Sequence, residues 1–231
     1  MSQPEFDRYS PSYQELLKDP IRDRFVAGDS KFFHERKRDL VRQKFRAMKV
    51  NSQALAYLDL GCGKGELASL LRNDFGRVVG CDPSAGMLNF AEGIETRVQE
   101  DPAKLPFGAQ EFDFVTAVCV YHHVPPVARL ALTQEVSRVL KPGGIFAVIE
   151  HNPYNPVTRK IVSRTPVDAD AILLKPAETA NWLRQAGFKP RSAQFFLYFP
   201  EPLYRAGGRL LEGLLQGLPL GGQYAVFGVK N

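Results

Sequence analysis

From residue 51 onward, short apolar runs alternate with stretches of helical periodicity, and this alternation constrains the fold more than any other feature. Runs at 54–60, 77–81, 97–99, 112–120 and 145–150 read as strands, with helical patterns near 64–73, 84–92, 127–139 and 176–187. Strands separated by helices bury both sheet faces when the strands run parallel, so an α/β three-layer sandwich is expected. Two last runs, 192–198 and 223–229, flank a segment at 199–222 that lacks a crossover helix of ordinary length. A closing antiparallel pair fits there, giving a mostly parallel seven-stranded sheet with an antiparallel last strand in a domain spanning 51–231.

Residues 1–50 read as an N-terminal helical arm or lid. The first thirty are polar and punctuated by proline, with a short helical candidate at 13–19. After Ser30, a candidate N-cap, Phe32, Phe33, Leu40, Val41, Phe45 and Met48 recur at helical spacing. Residues 31–49 hold eight Lys/Arg against two acids; the chain's net charge is +5, so the remainder carries 5 − 6 = −1. The basicity thus belongs to one helix, with a solvated outer face as the first expectation, and nucleic acid is disfavoured as a partner. No run reaches the roughly 18 apolar residues of a membrane span, and Met-Ser-Gln-Pro-Glu-Phe lacks a signal-peptide layout, so a cytoplasmic protein without integral membrane association is expected. Cys62, Cys81 and Cys119 show neither C-x-x-C nor Cys/His ligand spacing, so reduced thiols and no metal site are expected.

The first strand runs into Asp59-Leu60-Gly61-Cys62-Gly63-Lys64-Gly65-Glu66 and then a helix. Alternate glycines there let the backbone approach a ligand and turn amide N–H groups toward it. Asp82 ends the second strand 17 residues beyond Gly65, where a carboxylate can accept from ribose hydroxyls. A dinucleotide enzyme would show both features.

The series continues with Gly80-Cys81-Asp82-Pro83-Ser84, Asp101-Pro102-Ala103-Lys104-Leu105-Pro106-Phe107, Phe112-Asp113-Phe114-Val115, His122-His123-Val124 and Leu140-Lys141-Pro142-Gly143-Gly144. Over about residues 54–151 the chain resembles the class I, Rossmann-like S-adenosylmethionine-dependent methyltransferases of the small-molecule group. The resemblance implies that Asp59, Gly61 and Gly63 hold the methionine moiety and Asp82 the ribose, with Met87 against the adenine and Asp101 accepting from the adenine amino group. Cys62, Pro83, Pro102 and Val118 are further expected cofactor contacts. One departure is Pro102, which lacks the N–H that the family generally turns toward the adenine ring.

A sulfonium methyl is already electrophilic, so transfer chiefly requires a nucleophile aligned behind the S–CH3 bond in a water-poor pocket. A base is needed only for an acceptor that is protonated at neutral pH. His122 and His123 follow strand four and His151 follows strand five, at the sheet edge where α/β proteins bind ligands, which makes His123 the first candidate base with His122 and His151 behind it. Packing is the alternative for each. Tyr9, Tyr13 and Tyr121 are candidate pocket hydroxyls, and Arg36 and Lys37 candidate carboxylate partners. An insertion near 152–175, with Asn152, Asn155, Arg159, Asp168 and Asp170, is expected to shape the acceptor pocket, and leucines in 199–222 to form a pocket wall or a homodimer surface. Val118-Cys119-Val120-Tyr121 lacks the Asn/Asp-Pro-Pro-aromatic run of nucleobase amine methylation, and Cys119 reads as a core thiol. The leading expectation is methyl transfer to an oxygen or nitrogen of a small-molecule acceptor with release of S-adenosylhomocysteine. Methylation of RNA or protein docked on helix 31–49, and a non-catalytic cofactor binder, remain open.

Overall fold

The computed structural model describes residues 5–26 and 30–231. Three short helices, α1 (Glu5–Tyr9), α2 (Tyr13–Leu16) and α3 (Pro20–Phe25), precede the long α4 (Lys31–Met48). There follow β1 (Ala56–Leu60), α5 (Glu66–Leu71), β2 (Arg77–Asp82), α6 (Ala85–Leu88), β3 (Glu95–Val98), β4 (Phe112–Val118), α7 (Pro126–Val139) and β5 (Leu140–His151). The rest comprises α8 (Pro156–Val162), α9 (Pro176–Gln185), β6 (Phe188–Pro190), β7 (Gln194–Phe196), α10 (Glu201–Leu203), α11 (Arg209–Leu215) and β8 (Gln223–Lys230).

The sheet order is β3-β2-β1-β4-β5-β8-β6, with β7 also on β8. β1 to β5 pair in parallel, while β8 lies antiparallel to β5, β6 and β7. There are therefore eight strands, not the expected seven. The missed strand, β6, is three residues ending in proline, too short for any period to show, and it is held by Lys189 opposite Val229. β8 lies inside the sheet, which accounts for its nearly continuous burial.

Two apolar clusters cover the two faces. Leu132, Val136 and Val139 of α7 and Leu183 of α9 pack with Leu58, Val115 and Phe146 on one side. Phe32, Val41 and Phe45 of α4 and Leu67 and Leu71 of α5 pack with Tyr57, Phe114 and Ala147 on the other. Helix α4 thus sits in the main core. Ser30 makes no side-chain cap bond and is itself helical in backbone, so the anticipated N-cap is not formed.

The basic face of α4 is less solvated than expected. Arg36 and Lys37 are 7% and 5% exposed, and Arg36 donates to Glu212 and to the Tyr204 hydroxyl with its guanidinium over the Tyr204 ring. Arg42 forks onto Asp74 at 2.8 to 3.1 Å. In 199–222, Leu203, Leu210, Leu211 and Leu214 are exposed, so they are not a pocket wall; the buried residue of α11 is Glu212. Leu220, beyond that helix, reaches the main cavity.

Candidate active site

Strand order reverses between β1 and β4, and the crevice at the carboxyl ends of such neighbouring strands is where open α/β sheets hold ligands. A cavity of about 890 Å³ lies there, toward the upper end of the roughly 300–1,000 Å³ range of ligand pockets. Its walls come from the glycine turn after β1, the ends of β2, β4 and β5, helices α1 to α4 and the 152–175 insertion.

In the turn, Gly61 and Gly63 have φ of +65° and +54°. A side chain on Gly61 would meet Val120 Cγ2 at 2.4 Å, so glycine is required by conformation and by space. Gly61 N–H donates to Cys81 O at 2.7 Å, and Gly63 N–H donates to Asp82 Oδ2 at 2.9 Å. Asp82 Oδ1 accepts from Ser84 N–H at 2.9 Å. Burial raises the Asp82 pKa against those hydrogen bonds. Asp59 is pushed up to about 6 by burial, although Thr116 Oγ1 donates to it at 2.6 Å. A carboxylate so desolvated gains from a cation placed beside it. Met87, buried on α6, stands across from Gly63, and its N–H is capped by Ser84 Oγ at 3.1 Å. Two carboxylates, a side-chain-free cradle and an apolar wall fit a ligand with ammonium, ribose and purine parts.

Pro83, Cys62, Val118 and Pro102 also line the cavity. Asp101 does not: it is exposed, and its carboxylate accepts from Ala103 N–H at 2.8 Å within its own turn. Gln99, 6% exposed, faces the cavity instead and donates to the Asp101 and Pro102 carbonyls. Sequence reading passed over it as the last residue of a strand.

All four histidines line the cavity, including His34 of α4, which had no signal beyond its place in a basic helix. His122 is 2% exposed, with Nδ1 2.6 Å from Glu150 Oε2 and Nε2 3.4 Å from Asp168 Oδ1. Burial opposes protonation of His122, but the Glu150 and Asp168 carboxylates outweigh it and raise its pKa well above the ordinary value. Both ring nitrogens of His122 therefore face carboxylates, Nδ1 toward Glu150 and Nε2 toward Asp168. His123 Nε2 lies 3.5 Å from the same Asp168 oxygen, and the His123 ring meets Phe6 of α1 edge-on at 5.1 Å. His151 stays neutral, its pKa pushed down to about 4 by burial and by the His122 charge.

Tyr13 lines the cavity from α2. Tyr121 does not: it is in the core, bonded to Thr133 and stacked on Trp182. Asn152 is fully buried and ties the insertion to the chain by donating to Pro219 and Gly221 carbonyls at 3.0 and 2.7 Å. Arg159 is exposed on α8, outside the cavity, where Asn155 is found instead. Cys119 lines the cavity rather than the core, but burial pushes its thiol up to about 11, so it carries no thiolate at neutral pH. Asp7 was missed entirely. Its Oδ1 accepts from Ser84 Oγ at 2.5 Å and Gly86 N–H at 3.0 Å, fastening α1 over the Asp82 side of the cavity.

The buried neutral histidines set a pH dependence. His151 and His34 protonate near 4 and 3 when folded and near 6.5 when unfolded, so acidification below about 6.5 favours the unfolded chain. The His122 contribution has the opposite sign and is lost only as pH rises through its raised folded value. Melting temperature is therefore expected to fall between pH 7 and pH 4. His151 alone accounts for up to about 3 kcal/mol, and His151→Gln should flatten the acid limb of a calorimetric pH series.

Residues 58–148 match the methyltransferase-domain family. An uncharacterised methyltransferase of Synechocystis is 36% identical over 121 residues, covering 49% of this chain and 57% of that protein. A 2-phytyl-1,4-naphtoquinone methyltransferase of Nostoc punctiforme is 31% identical over 67% of this chain and 66% of its own length. The chain thus spans between about half and two thirds of the curated relatives it matches. Magnesium protoporphyrin IX methyltransferase of Synechocystis, solved with bound S-adenosylhomocysteine, shares the fold with a TM-score of 0.65 at 18% identity, over 97% of both chains. Fold and site define the class: a Rossmann-like domain with a ligand-sized crevice at its topological switch point. The family match makes it specific: residues 58–148 are a methyltransferase domain, and the fold is the one seen in solved S-adenosylmethionine-dependent methyltransferases.

Proposed function

We propose that this protein transfers a methyl group from S-adenosylmethionine to an oxygen or nitrogen of a small-molecule acceptor. The observation that carries the reading is one cavity joining the glycine turn, Asp82 and Met87 to His123 and Asp168 on its other side. When bound, S-adenosylmethionine supplies a methyl carbon on a sulfonium and leaves as S-adenosylhomocysteine, the electron pair of the broken C–S bond staying on sulfur. Asp59 and the turn around Gly61 hold the methionine end, Asp82 accepts from the ribose hydroxyls, and Met87, Pro102 and Gln99 enclose the purine. Helix α1, latched by Asp7, keeps water from the reacting centre. On the acceptor side, His123 takes the proton displaced when the new C–O or C–N bond forms, with Asp168 steadying its ring.

A quinone-type acceptor among relatives supports a small molecule over a polymer. So does helix α4, whose Arg36 and Lys37 are buried rather than offered to a phosphate backbone. Among the described residues no helix is long and apolar enough to cross a membrane.

The test is mass spectrometry of metabolite extracts incubated with the protein and methyl-labelled S-adenosylmethionine. A labelled small molecule is expected. Label in RNA or protein alone would favour the docking reading, and no labelled product from any extract would favour a non-catalytic binder.

A further inference from the structure

The acceptor side of the cavity gathers three ligand-type groups that the sequence keeps apart. His122 and His123 follow β4, and Asp168 ends a single helical turn at Pro166–Asp168 in the insertion. One ligand atom from each lies within 4.8 Å of the others. Asp168 Oδ1 stands 3.4 Å from His122 Nε2 and 3.5 Å from His123 Nε2. Around a tetrahedral ion with bonds of about 2.0–2.1 Å, neighbouring donor atoms are separated by about 3.3 Å.

Two further observations point to a bound ion. His122 Nε2 is buried without a hydrogen-bond partner, Asp168 being at ion-pair distance but not hydrogen-bonded to it. The opposite nitrogen, Nδ1, is fixed at 2.6 Å by Glu150, itself fully buried. A carboxylate behind a histidine, orienting its other nitrogen, is the usual outer support of a metal-bound imidazole. The insertion is also pinned in register, because Ile172 N–H donates to the His122 carbonyl at 2.9 Å.

We propose that His122 Nε2, His123 Nε2 and Asp168 Oδ1 form a site for a divalent transition-metal ion, with its remaining coordination position open to an oxygen of the acceptor. Two imidazoles and one carboxylate suit Zn2+, Co2+, Fe2+ or Mn2+ better than the hard, oxygen-seeking Mg2+ or Ca2+. Sequence spacing gave no sign of it, since Asp168 lies 46 positions beyond His122. As for acceptor chemistry, the proposal rests on the methyl-transfer reading: a bound ion would lower the proton affinity of an acceptor hydroxyl so that its proton passes to solvent water as it binds, and with the ion present His123 would serve as a ligand rather than as the base. Metal binding itself does not depend on that reading.

The full-length protein, stripped with chelator and holding neither cofactor nor acceptor, is titrated with Co2+ and then with Zn2+. The expected result is one Co2+ per chain with the visible ligand-field bands of a histidine-bound ion, displaced by Zn2+. Asp168→Asn should weaken Co2+ binding by more than about tenfold, while Asp170→Asn, another cavity residue, should leave it unchanged. Should Asp168→Asn fail to fold, the ring-nitrogen resonances of His122 and His123 in the unaltered protein decide the matter: both are expected to shift on Zn2+ addition. Absence of stoichiometric binding, unmoved ring resonances, or equal affinity in a folded Asp168→Asn protein would overturn the site. None of these outcomes bears on whether methyl transfer occurs, which the labelled-cofactor experiment reads separately.

Discussion

His123→Asn is expected to lower turnover by about 10²–10⁴-fold while leaving S-adenosylhomocysteine affinity within a factor of about two of the unaltered protein. The separation follows from geometry: His123 sits with Asp168 and Phe6 on the acceptor side, and Asp59, Asp82 and Met87 hold the nucleoside from the opposite wall. A residue that only packed against the cofactor would lose affinity and turnover together. Labelled-product formation and calorimetric titration on the same preparations measure the two quantities. A metal ion at His123 would leave this expectation in place, because asparagine removes the ligand as well as the base.

Glu212→Ala is expected to destabilise the fold by about 3–5 kcal/mol, read by chemical denaturation. Arg36 lies in the interior with its guanidinium 3.8 Å from the Tyr204 ring centroid, and Glu212 is its buried counter-charge. Glu212 also accepts from Tyr198 N–H at 3.3 Å. Truncating the acid strands a buried cation, whereas replacing both partners together by apolar residues of similar volume should recover most of the loss. A loss below about 1 kcal/mol, the level of a surface pair, would contradict this account of how α11 is fastened to α4.

Much of the fold was legible because its periods are long. Four of the five parallel strands, β1, β2, β4 and β5, and the helices between them left apolar runs and helical spacing that burial enforces, while the edge strand β3 is largely exposed. The glycine turn was legible because Gly61 answers a conformational demand and a contact that other residues cannot meet. Long-range polar contacts left no such trace. Nothing in the sequence distinguishes Asp7 latched to Ser84 from any other acid of a polar arm, or Glu212 buried against Arg36 from a solvated charge on a leucine-rich helix.

The misplaced residues fail for related reasons. Asp101 is drawn into its own turn by Ala103, next to a Pro102 that offers no N–H, and Gln99 takes the position facing the cavity. Tyr121 directly precedes His122 and His123 in sequence but points the other way, into the core beneath α7 and α9. Asn152 is consumed by backbone carbonyls of the returning chain. In each case local sequence named the right segment; a partner distant in sequence decided the direction of Tyr121 and Asn152, and a turn partner two residues on decided that of Asp101.

The central claim is that the crevice between β1 and β4 is an S-adenosylmethionine site organised by the glycine turn and Asp82. Calorimetric titration of S-adenosylhomocysteine into the unaltered protein and into Asp82→Ala tests it most directly. The account predicts saturable binding of one ligand per chain, weakened more than tenfold in the variant because a charge-assisted contact of about 1.5–3 kcal/mol is removed. No binding to the unaltered protein, or the same affinity in a folded Asp82→Ala protein, would contradict it.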